Sequence, residues 1–382
     1  MALLKEYIEF KNGKKRPSKA GEFPVYGGNG ILDYANDYNM EEGIVIGRVG
    51  TYCGSVYLEQ QKCWVSDNAI KGVNKETANL RFLYYLLKSL HLNERHIGTS
   101  QPLLTQEILN NIEVDIPELK DQIKIASILC AFDEKIESNN AINKNLLQQA
   151  KAILTAFFID FSHFGGEVPT DWEQGSLQDI VDFSNGYAFK SKELLDAPTH
   201  DCYRVFKQGH INRGGGFNSG GTKSWYPISK CANLSKYILR KGDVLMAMTD
   251  MKDNVAILGN TALMTVDDQY IVNQRVGLLR SNGYRSTSYA YIYLLTNSFD
   301  FLKDLRSRAN SGVQVNLSSA EIKASPVWIA TDAANKEFNS LTEPLLSMIM
   351  ANDIENQKLA IIRDTLLPQL MSGELDISDL DI

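Results

Sequence analysis

Paired cysteines, long apolar runs and a positive net charge are all missing from this sequence. Its five cysteines (Cys53, Cys63, Cys130, Cys202 and Cys231) are odd in number and form no close-spaced pair, so neither a disulfide framework nor a CxxC zinc site is indicated. The first ten residues, MALLKEYIEF, are partly charged, and no window holds about 18 apolar residues, so neither a signal peptide nor a membrane span is predicted. These absences favour a reducing cytoplasm as the location of the protein.

The motifs of common catalytic sites are missing as well. The histidines form no HxxxH or HExxH pair, and there is no GxSxG sequence. The glycine-rich stretch GGGFNSGGTKS (214–224) has Thr222 ahead of Lys223, which departs from a phosphate-binding loop and favours an exposed loop. Glu118 and Lys120 resemble part of a nuclease ExK motif, but charged residues at a helix start explain them better. We therefore predict no catalytic residue, no metal site and no cofactor bound by this chain.

The negative net charge of −7 is concentrated at one end of the chain. Residues 332–382 carry 3 basic and 10 acidic side chains, whereas residues 1–115 carry 13 and 14, and residues 162–331 carry 18 and 16. The two large regions are therefore balanced, which leaves room for basic patches at Lys11, Lys14, Lys15, Arg16 and Lys19. An end as acidic as 332–382 would be repelled by phosphates and suits a protein partner or solvent.

Two stretches of the chain have the periodicity of long amphipathic helices. From Leu119 the heptad positions a and d are mostly apolar to about Phe161, and the same pattern starts again at Phe338. Both stretches have polar residues in the middle. Two helices with apolar stripes cover one another most simply as an antiparallel coiled-coil pair. A helix of roughly 40 residues would be about 60 Å long, so such a pair could hold two domains a fixed distance apart.

Polar seam residues are predicted at the centre of this helix pair. Asn140 and Asn143 fall on seam positions of the first helix, and Asn352 and Glu355 fall on those of the second. A buried asparagine lowers the stability of a coiled coil but fixes its register and orientation. We expect these four residues to prevent the helices from sliding. The alternative, ordinary core helices of one large domain, agrees less well with their length.

An internal repeat organises the rest of the chain. LLKEYIEFKNG (3–13) aligns with SLQDIVDFSNG (176–186), and EEGIVIGRVGTYCGSVYL (41–58) aligns with RKGDVLMAMTDMKDNVAIL (240–258). The spacing between matched segments grows from about 173 to about 214 residues, so the second copy has insertions. Short β-branched runs with one helix per copy predict an α+β fold. The architecture is thus two domains in pseudo-twofold repeat, separated by two long antiparallel coiled-coil helices.

The predicted domain boundaries follow from this repeat. The first domain spans residues 1–116 and the first long helix 117–161; the second domain spans 162–331 and the second helix 332–376, followed by an acidic tail at 377–382. The segment HFGGEVPTDWEQG (163–175) has the composition of a linker because it combines Gly-Gly with a proline.

Polar loops at equivalent points of the two copies are the candidate functional residues. Arg, Asn, Gln, Ser and Thr can read base edges in the major groove of DNA, while Lys and Arg neutralise phosphates. Each residue alone is more typical of a solvated loop, and only the recurrence at matched places gives a signal. The candidates are Lys14, Lys15, Arg16, Lys19, Tyr26, Asn29, Arg48, Thr51, Tyr52, Asn68, Ser100 and Gln101 in the first copy, and Lys207, Gln208, Asn212, Arg213, Thr249, Lys252, Asn254, Asn273, Arg275, Arg308, Asn310 and Gln314 in the second.

Several segments taken together resemble one known protein family. The segments are FPVYGGNGILDY (23–34), IGRVGTYCGSVYL (46–58), WVSDNAIKG (64–72), IPELKDQIKIASILCAFDEKIE (116–137), VPTDWEQGSLQDIVDFSNG (168–186) and RDTLLPQLMSGELDI (363–377). In order and spacing they resemble the DNA specificity subunit of type I restriction–modification systems, over nearly the whole chain. The divergent second copy with its acidic final segment departs from the family, so no base-contacting residue is carried over.

The resemblance implies a non-catalytic subunit that reads double-stranded DNA. In that family each target recognition domain reads one half of a split target, and the helices set the gap. Methylation subunits that bind S-adenosylmethionine dock on the helices, and a restriction subunit driven by ATP and Mg²⁺ joins the complex. Because the loops of the two copies differ, we expect an asymmetric target. Two rival interpretations stay open: a self-sufficient nucleotide-processing enzyme, and a structural coiled-coil adaptor.

Overall fold

The computed structural model describes residues 1–98, 101–251, 255–311 and 314–377. The chain divides into two compact units. The first consists of Met1–Glu137 with the described residues from Lys358 onward, and the second is Ser138–Gln357. Two long helices pass from one unit to the other, so each unit contains a repeat and a part of both helices. No helix within the described ranges has the length and hydropathy that a membrane crossing requires.

The first unit is built from short strands and two small helices ahead of the first long helix. Its strands are β1 (Ala2–Leu3), β2 (Ile8–Asn12), β3 (Phe23–Gly27), β4 (Gly30–Ala35), β5 (Gly43–Gly47), β6 (Val56–Glu59), β7 (Trp64–Val65), β8 (Ala69–Asn74) and β9 (Glu113–Val114), and its helices are α1 (Leu80–Ser89), α2 (Gln106–Asn110) and the beginning of α3 (Leu119–Leu154). The strands form sheets in the orders β2-β8-β5-β6, β4-β3-β7 and β1-β9.

The second unit repeats this arrangement with insertions. Its strands are β10 (Glu173–Ser176), β11 (Val181–Asn185), β12 (Cys202–Phe206), β13 (Trp225–Pro227), β14 (Val244–Ala247), β15 (Thr249–Met251), β16 (Thr261–Leu263), β17 (Tyr270–Val272), β18 (Val276–Ser281), β19 (Asn310–Ser311), β20 (Gln314–Asn316) and β21 (Pro326–Ile329). Its helices are α4 (Leu177–Ile180), α5 (Tyr289–Thr296), α6 (Phe299–Ser307), α7 (Ser319–Lys323) and α8 (Asp332–Ser372), of which α8 continues into the first unit.

Sheet topology confirms the internal repeat. The order β11-β18-β14-β16 matches β2-β8-β5-β6, the order β13-β12-β17 matches β4-β3-β7, and β10-β21 matches β1-β9. In both of these matched three-stranded sheets one neighbour of the central strand is antiparallel and the other parallel. The second unit adds an antiparallel sheet in the order β15-β20-β19. In both copies a helix follows the matched strand, α1 after β8 and α5 after β18. The predicted α+β class with two β-rich domains and two long helices is confirmed.

Each unit has a large apolar core at the place where its small helix meets the long helices. In the first unit Phe82, Leu83 and Leu86 of α1 join Ile125 and Leu129 of α3. In the second unit the core is rich in aromatic rings: Phe157, Phe158, Tyr291 and Phe338 lie within about 4 to 6 Å of one another, many of them edge to face. These apolar faces are what makes long helices stable, since propensity alone contributes little.

The two long helices lie antiparallel within each unit. In the second unit the Asn139 amide donates to the Glu355 carboxylate at 2.7 Å, and Asn143 donates to Asp353 at 3.0 Å. As the residue number increases along α3, the number of its partner on α8 decreases, so the two helices run in opposite directions. In the first unit Arg363 of α8 contacts Asp133 of α3.

All four predicted polar seam residues bond between the helices: Asn143 accepts from Asn352 at 2.8 Å, Asn140 accepts from Asn356 at 3.0 Å, and Glu355 accepts from Asn139. The prediction of which seam positions are buried is partly wrong. Asn139 is the fully buried asparagine, at 1% exposure, whereas the predicted Asn140 is exposed. The predicted positions Leu341, Met348 and Ile362 are 44%, 52% and 45% exposed. On α8 the side chains of Thr342, Leu346 and Met350 are buried instead, while the predicted Phe338 is buried as expected. A heptad assumes 3.5 residues per turn, while these helices also pack against the domains and follow an apolar face nearer 3.6.

Two further sequence predictions are corrected by the structure. The alignment of 41–58 with 240–258 places residues 255–258 opposite β6, but the strand that pairs with β14 there is β16. Ala256, Ile257 and Leu258 instead donate their backbone N–H groups to the Asp250 carboxylate. The expected linker 163–175 is partly structured, because Trp172 is buried against Phe158 at a ring distance of 5.0 Å and Glu173 begins β10. An aromatic residue inside a Gly-Pro stretch was the signal against a free linker.

Candidate nucleic-acid interface

The predicted loops of the first unit converge at one end of its sheets. Lys14 follows β2 and donates its backbone N–H to the Val65 carbonyl at 3.0 Å. Arg48 follows β5 and donates to the Asn68 carbonyl at 3.0 Å, which ties the loop after β5 to the turn between β7 and β8. Gly28, in the turn between β3 and β4, lies against the carbonyls of Asn68 and Val49. Four loops that are far apart in sequence therefore form one surface.

A fifth loop joins the same surface through its backbone. The Leu104 N–H donates to the Arg48 carbonyl at 2.9 Å, and the Gly50 N–H donates to the Pro102 carbonyl at 3.0 Å. Gly50 has a φ of +71°, a left-handed conformation that glycine adopts without strain. Gln101 is therefore held close to Thr51 and Tyr52, and all three side chains are exposed.

The second unit makes the equivalent hydrogen bonds with different residues. The Tyr187 N–H donates to the Val272 carbonyl at 2.8 Å, as Lys14 does to Val65. The Met248 N–H donates to the Arg275 carbonyl at 3.2 Å, which matches the bond from Arg48 to Asn68. The Met248 carbonyl accepts from the Leu317 N–H at 2.9 Å, which matches the bond from Leu104 to Arg48. The loop framework is thus conserved between the two copies while its side chains differ, from Arg48 in one to Met248 in the other.

Solvent exposure separates the sequence-predicted residues into groups. The exposed candidates are Lys14, Lys15, Arg16, Lys19, Asn29, Thr51, Tyr52, Asn68, Gln101, Asn212, Arg213, Arg275, Asn310 and Gln314. The half-buried candidates are Arg48, Lys207, Gln208, Thr249, Asn273 and Arg308, and Tyr26 is buried. The candidates Ser100, Lys252 and Asn254 lie outside the described residues.

Some of these candidates are engaged in bonds inside the protein. The buried Tyr26 hydroxyl donates to Glu59 at 3.0 Å, and burial together with the Glu59 carboxylate raises the pKa of Tyr26. Arg308 donates to the Glu321 carbonyl at 2.8 Å and to Asp304 at 2.6 Å. The Gln208 amide donates to the Thr249 carbonyl at 2.5 Å. Tyr26, Arg308 and Gln208 therefore position loops, and the exposed candidates form the outer surface.

Two residues that hold the second set of loops were not found from the sequence. The Asp250 carboxylate accepts three backbone N–H bonds, from Ala256, Ile257 and Leu258 at 2.7 to 3.2 Å, and so ties that turn to the Asp250 side chain. His210 is fully buried beside the rings of Phe206 and Phe217, and burial lowers the pKa of His210 to about 4. His210 is therefore a neutral core residue. An aspartate a few residues after the buried strand β14 was the available signal for Asp250.

The structure accounts for the two motif-like stretches of the sequence by internal contacts. Within the part of the chain that the structure describes, no three His, Cys, Asp or Glu side chains gather as a metal site would require. The glycine-rich loop turns its carbonyls inward, since Arg204 donates to the carbonyls of Ser219 and Gly221 at 2.7 and 2.8 Å; a phosphate cradle would need N–H groups there. Glu118 pairs with Lys120 at the start of α3.

The sequence pattern of one protein family matches most of the chain. That family is described as the type I restriction modification DNA specificity domain, and it matches residues 4–148 and 169–359. The chain belongs to this family. The two matched segments contain the two repeats described above, so the repeat is a family feature and both copies carry specificity-domain sequence.

Individual relatives support the same assignment. The chain is 28% identical over 271 residues to the type I restriction enzyme MjaVIII specificity subunit of Methanocaldococcus jannaschii, a match over 67% of this chain and 61% of that protein. It is 25% identical to the MjaIX specificity subunit of the same organism, over 81% and 72%, and 24% identical to the HindI specificity subunit of Haemophilus influenzae, over 77% of each. The match thus spans somewhat less than two thirds of the MjaVIII protein.

A solved structure shows that the fold is shared. The crystal structure of the type I restriction-modification system S subunit from M. genitalium superposes with a TM-score of 0.63 at 18% sequence identity, over 99% of this chain and 96% of that one. At this identity the comparison concerns the architecture alone. Type I specificity domains therefore account for the two β-rich repeats and the long helices together.

Proposed function

We propose that this protein is the DNA-recognition subunit of a type I restriction–modification complex. It reads a bipartite, asymmetric double-stranded target and directs methylation and restriction by partner subunits, with no chemistry of its own. The observation that carries the proposal is the matched loop framework: the same hydrogen bonds organise both loop surfaces, while the side chains on them differ. Two reading surfaces with unlike side chains suit a target whose halves are unlike.

The domain roles follow from this proposal. Residues 1–116 read one half-site and residues 162–331 read the other, with the helices of 117–161 and 332–376 as spacer and docking platform. Half-sites about one helical turn apart, roughly 34–36 Å between centres, lie on one face of the duplex and suit two linked domains. The acidic segment from residue 332, with the tail 377–382, contacts protein partners or solvent because phosphates would repel it.

The partner subunits supply the chemistry in this proposal. Methylation subunits that bind S-adenosylmethionine dock on the long helices, and a restriction subunit that uses ATP and Mg²⁺ completes the complex in a reducing cytoplasm. The five cysteines of this chain are all free, in keeping with that compartment.

Exchange of one repeat tests the half-site assignment. Residues 1–116 are replaced by the equivalent segment of another family member, and methylated positions are mapped in host DNA. We expect one half of the recognised motif to change and the other half to stay. The reciprocal exchange of 162–331 should change the opposite half. A change in both halves, or in neither, would contradict the assignment of one half-site to each repeat.

Lysine substitutions test the phosphate-contacting side of the first surface. In the assembled complex Lys14, Lys15 and Lys19 are changed together to alanine, and the salt dependence of DNA affinity is measured. The slope of log affinity against log salt should fall by about 0.9 for each phosphate contact removed, and affinity should fall equally for all sequences. Lys120→Ala, at a helix start beside Glu118, is the control and should leave the slope unchanged.

The rival interpretations make different predictions. A self-sufficient nucleotide-processing enzyme would show turnover by the purified chain alone, whereas our proposal expects methyl transfer only after the partner subunits are added. A coiled-coil adaptor would show no salt-sensitive DNA affinity in the assembled complex.

A further inference from the structure

A half-open cavity in the second unit has the chemistry of a ligand site. Its volume is about 300 Å³, and it lies between the two long helices, the end of β16 and the glycine-rich insertion. The apolar part of its wall includes Leu263, Leu346 and Met350. Ligand sites are typically apolar hollows of this size with a few converging polar groups.

The polar groups of this cavity have unused hydrogen-bonding capacity. The Thr265 hydroxyl is buried with no partner, in a residue that is 3% exposed. The hydroxyl of Tyr293, in a residue 7% exposed, has no hydrogen-bond partner within the described part of the chain. An unsatisfied buried hydroxyl costs free energy, so the Thr265 hydroxyl in this wall indicates that something else completes its hydrogen bond.

The third polar group is a carboxylate without a cation. Asp353 accepts one bond, from the Asn143 amide at 3.0 Å, and no lysine, arginine or histidine of the described residues forms an ion pair with it. Lys144 also lines the cavity, but it is exposed and makes no such pair. The burial of Asp353 raises its pKa to about 6, as expected for a carboxylate that lacks a counter-charge.

The free groups of the cavity favour a ligand that is rich in hydrogen-bond donors. The Asp353 carboxylate can only accept when ionised, and the Asn143 amide is already used on both atoms, by Asp353 and by Asn352. An anion would be repelled by the carboxylate, and an apolar group would leave the hydroxyls unpaired. A guanidinium ion offers five donors in a flat, always charged group, and the rings of Phe217 and Tyr293 in the wall suit its faces.

We propose that this cavity is the receptor for an arginine side chain of the methylation subunit, held by Asp353, Thr265 and Tyr293. This inference rests on the proposed function, in which the long helices are the docking platform. In this inference α3 and α8 hold the partner at one defined position, by a buried ion pair as well as by apolar contact. Buried arginines in such pockets are typical anchors of protein interfaces.

Partner affinity provides the first test. The full chain and its Asp353→Asn variant are titrated with the purified methylation subunit. Asparagine keeps the size of the side chain and can still accept from Asn143, but it removes the charge, so affinity should fall about thirtyfold or more. Thr265→Val and Tyr293→Phe should each lower it severalfold. Asp300→Asn, the same charge change on α6 outside the cavity, is the matched control and should bind as the unmodified chain does.

A free guanidinium compound provides the second test and does not depend on the partner. Agmatine should raise the thermal unfolding temperature of the full chain more than putrescine, which has the same carbon chain but no guanidinium group. The difference should vanish in the Asp353→Asn variant. Equal effects of the two compounds, or no effect on the unmodified chain, would overturn the guanidinium site.

The two tests separate the failure of this inference from the failure of the proposed function. If the methylation subunit binds the unmodified chain and Asp353→Asn equally well, the docking function stands and the arginine receptor is wrong. Stabilisation by agmatine together with unchanged partner affinity would mean that a free small cation is the occupant, which also overturns the proposal. If the partner does not bind the unmodified chain at all, the proposed function fails and the proposal falls with it.

Discussion

The two units share their sheet order but differ in the chemistry that joins the small helix to the long helices. In the first unit Asp133 of α3 contacts Arg363 of α8 and accepts from the Tyr85 hydroxyl at 2.6 Å. The repeat matches α3 of the first unit with α8 of the second, α8 with α3, and α1 with α5. Counted from the helix starts, Asp133 corresponds to Leu346, Arg363 to Ala150 and Tyr85 to Leu294, and these three residues lie in the apolar core of the second unit. One repeat uses a charged triad where the other uses apolar packing.

This difference shows that the fold does not depend on the ion pair. A half-buried ion pair and a well-packed apolar group of similar size often contribute comparable stability, because desolvation of the charges offsets their attraction. What differs is the cost of losing one member. Arg363 and Asp133 have side chains only 16% and 24% exposed, so neither can recover its hydration if the other is removed.

The largest predicted effect is on the first unit when its cation is removed. Arg363→Ala should lower the free energy of unfolding by about 3–5 kcal/mol, because it leaves Asp133 buried beside Tyr85 with no counter-charge. Native-state hydrogen exchange of the amides in α1 would report this loss within the first unit.

A double variant tests whether the apolar residues of the second unit can replace the ion pair of the first. Asp133→Leu combined with Arg363→Ala reproduces the pair Leu346 and Ala150 of the second unit and should recover most of the lost stability. A double variant as unstable as Arg363→Ala alone would show that the two repeats tolerate different chemistry at this position.

The second prediction concerns Asp353, the carboxylate of the second unit that has no cation. Its pKa is about 6 in the folded protein, against an ordinary value of 3.8, so the folded state holds a proton that the unfolded state releases between pH 4 and 6. Stability from this group therefore falls as pH rises through that window, by about 3 kcal/mol for a shift of this size.

Comparison with Asp353→Asn isolates this contribution from that of other groups. Tyr293 of α5 faces Asp353, and His210, whose pKa is lowered to about 4, destabilises the same unit as pH falls below 6.5. The stability of the variant relative to the unmodified chain should increase from pH 4 to pH 7, measured by urea unfolding. An equal difference at both pH values would mean that Asp353 is not perturbed by burial.

The smallest predicted effect compares the caps of two matched helices. Ser318 caps α7 with a reciprocal bond to Glu321, whereas Thr105 caps α2 through one bond, to the Ile108 N–H at 3.2 Å. Replacement of either residue by alanine should lower the free energy of unfolding by about 1 kcal/mol. The loss should be larger at Ser318, because the Glu321 carboxylate then also loses the hydrogen bond from the Ser318 hydroxyl. Local hydrogen exchange in α7 and α2 would measure both losses, and equal losses would contradict the order.

Much of the architecture could be predicted from the sequence because it depends on repetition and periodicity. The alignment of residues 3–13 with 176–186 anticipated β2 and β11, and the shift in spacing anticipated the insertions of the second copy. The apolar residues of α3, such as Ala126, Leu129 and Ala150, were found at their seam positions because that face is continuous. Local pattern and global fold agree at these places.

The rest depends on tertiary contacts that leave little local trace. Asn139 and Asn140 are neighbours of the same type, and only the direction of the partner helix buries the first and exposes the second. Tyr26 lies near the end of β3 and Arg308 directly after α6, and both look available in the sequence, yet each bonds inside the protein. Which loop residues contact DNA stays a prediction, since exposure permits such a contact and does not establish it.

The pairing of the first strand of each repeat with its last has a consequence for how the protein can change. Leu3 lies opposite Glu113 in the ladder of β1 with β9, and Glu173 lies opposite Ile329 in the ladder of β10 with β21. The strands at which the chain enters and leaves each repeat are therefore neighbours, joined by a short ladder of backbone hydrogen bonds. An entire repeat can therefore be exchanged at this point, with both cut ends already adjacent and neither long helix altered.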